Sequence, residues 1–309
     1  MPVTLDENNK YRDFVSRVAQ ESGCFDFKPD QIVWHYTDGA GFLGILQSSR
    51  LYATQVAALN DAAETRYASD LFTRAVKQLI AERVNEQEVV TFLNTLLDFS
   101  KENTESHTTS KFFVTSFSGE EDDVSHWDRY GKQNGYAIGL YARGLQREPT
   151  STLFRVVYDR EKQERAAREL AEATVKFYLD GLSQERRRDP ELWTREFLTG
   201  WDEWVYKLAP LAKAPKWKAE NEYRIVHELK LSEFPLVRFE QKATMLARYI
   251  ALDTASWVKR RSSLLPIARI VVGPGSNYAP TRVSVQLLLD QMGYQEVPVE
   301  ETTCSLTRR

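Results

Sequence analysis

The sequence predicts an α+β fold: a split mixed β-sheet around one cleft, with a helical insertion between about residues 160 and 210. Three observations predict it. Short β-branched and aromatic runs recur along the chain, at 31–36, 51–54, 111–118, 136–141, 153–158, 222–229, 236–239, 248–252 and 267–272, which is the pattern of half-buried or buried strands. Segments of helical period separate several of these runs. Residues 160–208 are almost continuously helical in pattern, rich in Arg and Glu, and their period is not repeated elsewhere. A length of 309 residues suits one domain spanning 1–309 with 160–210 inserted in it; an independent 160–210 unit is the alternative.

Taken in order, residues 5–22 place Phe14, Val15 and Val18 on one side of a helix. Gln31–Tyr36 reads as a strand, Asp38 as a cap, Phe42, Ile45 and Leu46 as the inward stripe of a short helix, and Leu51–Thr54 as the returning strand. Asp61 and Glu64 have capping-box spacing ahead of Tyr67, Leu71, Phe72, Ala75 and Leu79. A second amphipathic helix covers roughly Glu86 to Phe99. Lys111–Ser118 is a buried strand ending in hydroxyl residues; an acidic turn follows, then a helix with His126, Trp127 and Tyr130. Asn134-Gly135 is a strong turn dipeptide ahead of strand Tyr136–Tyr141.

In the insertion, Leu170, Val175, Phe177, Tyr178, Leu192, Phe197, Trp201, Trp204 and Leu208 are the inward positions of two antiparallel helices broken near Asp189-Pro190. Towards the C-terminus the pattern gives a helix at Thr254–Leu264, a strand at Ile267–Val272, a tight turn at Gly273-Pro274-Gly275-Ser276, and a helix from about Pro280 with Val283, Leu287 and Leu288 inward.

A net charge of −3 exerts no global pull on nucleic acid. The basic runs at 165–168, 186–188 and 259–261 read as solvated helix faces. With only Cys24 and Cys304, a disulfide scaffold is excluded and a reduced, cytoplasmic protein expected, although one bridge between the termini stays open. No segment has the ~20 apolar residues that span a bilayer. Neither the four His nor the two Cys have metal-ligand spacing, so no metal is expected.

Four stretches carry the candidate chemistry. His35, Tyr36 and Thr37 close the first strand, where ligands are commonly held; a packed His and a structural Tyr are the bland alternative. Asn60 and Asp61 stand at a helix entrance, which can hold a phosphate or simply be capped. Ser116 and Ser118 can orient a ligand or cap the next helix, and Trp127 and Tyr130 can form a platform or a core pair. In the strand Glu222–Leu229, alternation sends Glu222, Arg224 and Val226 to one face and Tyr223, Ile225 and His227 to the other. If that strand begins early, Glu220 and Glu222 share a face, and repulsion in a burying site raises one pKa; a partly exposed Glu222–Arg224 ion pair is the other reading.

Together, three segments resemble a widespread bacterial family of unknown function. They are His35-Tyr36-Thr37 with Asn60, Asp61 and Glu64; Phe117-Ser118 with Trp127 and Tyr130; and Trp217 with Glu220, Glu222, Tyr223 and Arg224. The resemblance spans about residues 31–290. The arrangement is also similar, distantly, to the ADP-ribosyltransferase-like fold, with its DNA-modifying toxin branch. That likeness implies NAD as substrate, His35 holding the ribose, Ser116 or Ser118 on a hydroxyl strand, Glu222 acting at the ribose, and Tyr36, Trp127 or Tyr130 stacking on nicotinamide. Here the hydroxyl strand reads Thr-Ser-Phe-Ser rather than Ser-Thr-Ser. The implied function is ADP-ribosyl transfer or NAD hydrolysis by a toxin or phage-defence effector, with nucleic acid, protein or water as acceptor. A non-catalytic nucleotide or nucleic-acid sensing module in a stress or defence system is the second hypothesis.

Overall fold

The computed structural model describes residues 17–24, 31–58, 62–103, 111–132, 134–145, 151–184, 191–195, 208–241, 245–253 and 264–305, with a few single residues beside them. The fold is α+β, an open mixed sheet with helices against it. Its strands are β1 (Ile32–Thr37), β2 (Arg50–Gln55), β3 (Phe112–Ser118), β4 (Tyr136–Tyr141), β5 (Ser151–Arg155), β6 (Glu222–Glu228), β7 (Arg238–Gln241), β8 (Leu246–Asp253), β9 (Ile267–Val272) and β10 (Val299–Glu301). The helices are α1 (Gly39–Ser48), α2 (Ala62–Glu82), α3 (Gln87–Asn103), α4 (Val124–Arg129), α5 (Arg160–Gln184) and α6 (Tyr278–Gln291).

The strand order is β10-β9-β4-β1-β3-β2-β8-β7, with β6 paired to β3 and β5 paired to β6. All neighbours are antiparallel except β9 and β10. β6 lies along the whole of β3, from Phe112 to Ser118, so β1 and β2 must share the opposite edge. They meet it at its two ends: β1 pairs Trp34 with Ser118, and β2 pairs Thr54 with Val114.

The larger core fills one face of the sheet. Val33, Phe113, Phe117, Ile138, Leu140, Tyr223, Ile225, Ile250 and Ile270 from the strands meet Phe42, Ile45 and Leu46 of α1 and Val285 and Leu289 of α6. Asp38 caps α1 by accepting from the Gly41 amide at 2.9 Å, as its type predicts. A second core is entirely helical: Leu71, Val76 and Leu79 of α2, Phe92, Leu93 and Leu96 of α3, and Leu170, Ala171 and Val175 of α5. The 160–184 helix thus packs against α2 and α3. Gly135 is fixed by close approach, because a Cβ there would overlap the carbonyl oxygens of Thr37 and Gly131.

Several sequence expectations are corrected. Val283 and Leu287, taken as inward, are exposed, and Leu288 is half-buried. Two i,i+4 pairs compete on α6, and positions 283 and 285 stand about 200° apart around the axis, so burying Val285 and Leu289 turns the other pair to solvent. Leu192 is likewise exposed. The run 231–236 forms a 3-10 turn, delaying β7 to Arg238, and the short β10 was not anticipated. Trp201, Trp204, Asn60, Asp61, the 186–190 break and most of the 254–264 helix lie outside the described residues. Cys24 and Cys304 are free thiols, and no helix is long and apolar enough to cross a membrane among the described residues.

Candidate functional site

Between the two end contacts of β3, residues 115–117 face a gap between β1 and β2. A cavity of about 180 Å³ occupies it, lined among others by His35, Tyr36, Tyr52, Ser116, Ser118, His126, Tyr130, Glu220 and Glu222. The gap joins the two faces of the sheet, which is why residues of opposite strand phase reach one cavity.

His35 and Tyr36 are adjacent, so period-2 geometry sends them to opposite faces. The His35 ring stands edge-on to Phe117, 5.7 Å between centroids, and its Nδ1 lies 3.0 Å from the Ser116 carbonyl oxygen. A carbonyl only accepts, so Nδ1 carries the proton and Nε2 keeps its lone pair. Burial pushes the imidazole below its ordinary value, partly offset by the bond to Ser116. Tyr36 turns the other way, onto His126 and Trp127 at 5.0 and 4.9 Å. Its hydroxyl donates to the Glu120 carbonyl and accepts from the Asp123 amide, which ties the acidic turn to β1.

Opposite stands a charged cluster. Glu222 is buried, and both its oxygens are taken by the Arg224 fork: Nε to Oε1 at 2.7 Å and Nη2 to Oε2 at 2.8 Å. Lys213 Nζ reaches Glu222 Oε2 at 3.1 Å and Glu220 Oε2 at 2.5 Å, while Arg129 donates to Glu220 Oε1 at 2.8 Å. The hydroxyl of Ser116 completes the contacts of Glu222. Burial by itself raises the Glu222 pKa, but Arg224, Lys213 and Ser116 outweigh it and hold the carboxyl below the usual range. That corrects the expectation of a raised value from carboxylate repulsion: Lys213 bridges Glu220 and Glu222 and Arg224 pairs with Glu222, so attraction to cations outweighs the repulsion. The alternation placing Glu222 beside Arg224 is as read from the sequence, but the pair is buried, 10% and 3% exposed, rather than partly exposed. Glu220 reaches the cavity from the 3-10 turn Pro215–Glu220, not from an early strand start, and Asn221 makes the junction in the left-handed region at φ 41°.

Of the residues singled out in the sequence, the cavity thus unites His35, Tyr36, Ser116, Ser118, Tyr130, Glu220 and Glu222. Arg224 supports it from behind. Ser118 is engaged in the scaffold, donating to the Glu220 carbonyl and accepting from the Glu120 amide. Thr37 is not a lining residue, and Trp127, fully buried with its indole N–H on Asp122 at 2.6 Å, is a core residue and no platform for a ligand. Sequence reading missed Lys213, Arg129 and His126. The Asp123/His126 spacing was the one available signal; nothing around Lys213 announced that it would bridge two glutamates separated from it by a turn. Among the described residues, no three His, Cys, Asp or Glu side chains gather as metal ligands would.

Comparison with curated proteins and with solved structures gives no match. Residues 126–225, which include most of α4, the first half of β6 and the Glu220–Arg224 cluster, match the family described as "Protein of unknown function (DUF2971)".

Proposed function

We propose that the gap between β1 and β2 binds NAD and that the protein transfers or hydrolyses its ADP-ribose group, an activity suited to a toxin or phage-defence effector. The observation that carries this reading is the convergence of His35, Ser116 and Glu222 on one cavity at an interruption of the sheet. The residues suit the chemistry. Loss of nicotinamide develops positive charge on the ribose, and a carboxylate beside it lowers that barrier. The His35 Nε2 lone pair suits a ribose hydroxyl, and Tyr130, 38% exposed at the rim, suits stacking on a planar ring.

One observation favours a second reading, nucleotide sensing without turnover: Glu222 already meets two cations, which spends much of its field. Nicotinamide release from NAD by the purified protein, with and without DNA, RNA or cell lysate, separates the two. Turnover that falls ~10²-fold in Glu222→Gln with affinity retained supports the first; saturable binding without release supports the second.

A further inference from the structure

The cavity contains a second histidine that the ribose-binding reading does not use. His126 lies in the first turn of α4, 5% exposed, with Tyr36 and Tyr130 against its ring. Its Nδ1 stands 3.0 Å from Asp123 Oδ1. A carboxylate only accepts, so in the neutral ring the proton sits on Nδ1 and Nε2 holds the lone pair. Asp123 is itself well prepared as the orienting group. Burial opposes its charge, but hydrogen bonds from Ser125 and His126 bring its carboxyl down to about 2. Capping of α4 by Asp123 explains the Nδ1 side of the ring. It leaves Nε2 unexplained: the ring lines the cavity, and among the described residues no hydrogen-bond partner meets that nitrogen.

We propose that the Asp123–His126 dyad is the proton acceptor of this cleft. The assignment rests on the NAD reading above. An acceptor hydroxyl, of water or of a macromolecule, gives its proton to His126 Nε2 as its oxygen bonds to C1′ of the ribose. The C1′–N bond breaks and its electron pair leaves with nicotinamide, which departs neutral. The imidazolium, paired with Asp123, then returns its proton to solvent. No further reactant is needed.

The titratable groups facing the same space are His35 and Tyr36 from β1, Tyr52 from β2, Tyr130 from the C-terminal cap of α4, Glu220 from the 3-10 turn and Glu222 from β6, so the pH test compares variants rather than absolute values. Nicotinamide release is measured from pH 5 to 9 on the full chain, wild type, His126→Asn and Asp123→Asn, with circular dichroism on each. In the wild type, turnover falls towards the acidic end of that range, as it does for a reaction that needs a proton acceptor. His126→Asn lowers kcat ~10²-fold or more, leaves KM within about threefold, and abolishes that acidic limb. Asp123→Asn keeps a capping oxygen for the Ser125 and His126 amides and for Nδ1 but removes the negative charge that pairs the imidazolium, and lowers kcat by about tenfold or more. If His126→Asn does not fold, Asp123→Asn decides, together with the His126 tautomer read from imidazole ¹⁵N shifts. A folded His126→Asn with wild-type turnover and an intact acidic limb overturns the dyad and spares the NAD reading. No release by the wild type with any acceptor overturns both.

Discussion

Arg168 and Arg224 each present a guanidinium fork to a glutamate, in two very different surroundings. On the helical layer, Arg168 holds both Glu82 oxygens at 2.8 and 2.6 Å and Glu172 at 2.9 Å, with side chains 37–51% exposed. In the sheet, Arg224 holds both Glu222 oxygens at 2.7 and 2.8 Å and the Pro210 carbonyl at 2.7 Å, in near-complete burial. The hydrogen bonds are alike, but the surroundings are not. Water and salt screen the first group, and forming it replaces good hydration with little net gain. The second has lost its hydration altogether, so each charge depends on the others. Ion-pair geometry alone therefore does not identify a site; geometry maintained against desolvation, beside a cavity, does.

Removing one member of each group tests that contrast. The largest effect belongs to Glu222→Gln, which takes the carboxylate away from buried Arg224, or Arg224→Met, which leaves Glu222 only the Lys213 that it shares with Glu220; either should cost about 3–5 kcal/mol in urea unfolding. For Glu222→Gln, turnover must then be read well below the lowered melting temperature, and a loss under about 1 kcal/mol would show that the cluster is solvated in solution. Lys213→Met comes next, at about 1–3 kcal/mol, since Glu222 keeps Arg224 and Glu220 keeps Arg129. Its acid unfolding is also diagnostic. A carboxyl held below its ordinary value stabilises the fold above the ordinary carboxylate range and loses that contribution as the pH falls through the folded value. Losing Lys213 shifts this loss to higher pH, and an unchanged acid midpoint would remove Lys213 from the cluster.

His35 should show a smaller effect of its own. Its pKa is lowered, so the unfolded chain binds the proton more readily, and stability is present above about pH 6.5 and declines below it, by at most about 1.4 kcal/mol per pH unit. His35→Gln should flatten that slope; an identical slope would mean that His35 is as free to ionise in the fold as out of it. Last is Arg168→Ala, expected to move the melting temperature by about 2 °C or less, and by less still in high salt. A larger, salt-independent shift would erase the distinction between the two groups.

What the sequence disclosed depends on how local the signal was. β1, β3, β4 and β9 are largely apolar runs long enough to declare themselves, and the alternation in β6 put Glu222 and Arg224 together. The gap was less legible as geometry, because it depends on β1 and β2 meeting one edge of β3 four residues apart, a matter of pairing rather than propensity. His35 and Tyr36 look like one unit in the sequence and point opposite ways in the fold. Lys213 is a lone cation among small apolar residues, and only the turn that carries Glu220 back over it gives it a role. The α6 error has the same origin: two apolar pairs satisfied the helical period, and tertiary contacts selected one.

The interruption in the sheet has a consequence for backbone exchange. Val114, Ser116 and Ser118 direct their peptide groups to the same edge of β3. Val114 and Ser118 meet β2 and β1 there, whereas Ser116 offers its carbonyl to His35 and turns its N–H to the gap. In the empty protein, deuterium should therefore replace the Ser116 amide proton well before those of its two neighbours. A ligand that accepts from that amide acts as a short stretch of the missing strand, linking the β1 and β2 sides, so occupancy should be visible as slowed exchange along β3 as well as at the residues it touches.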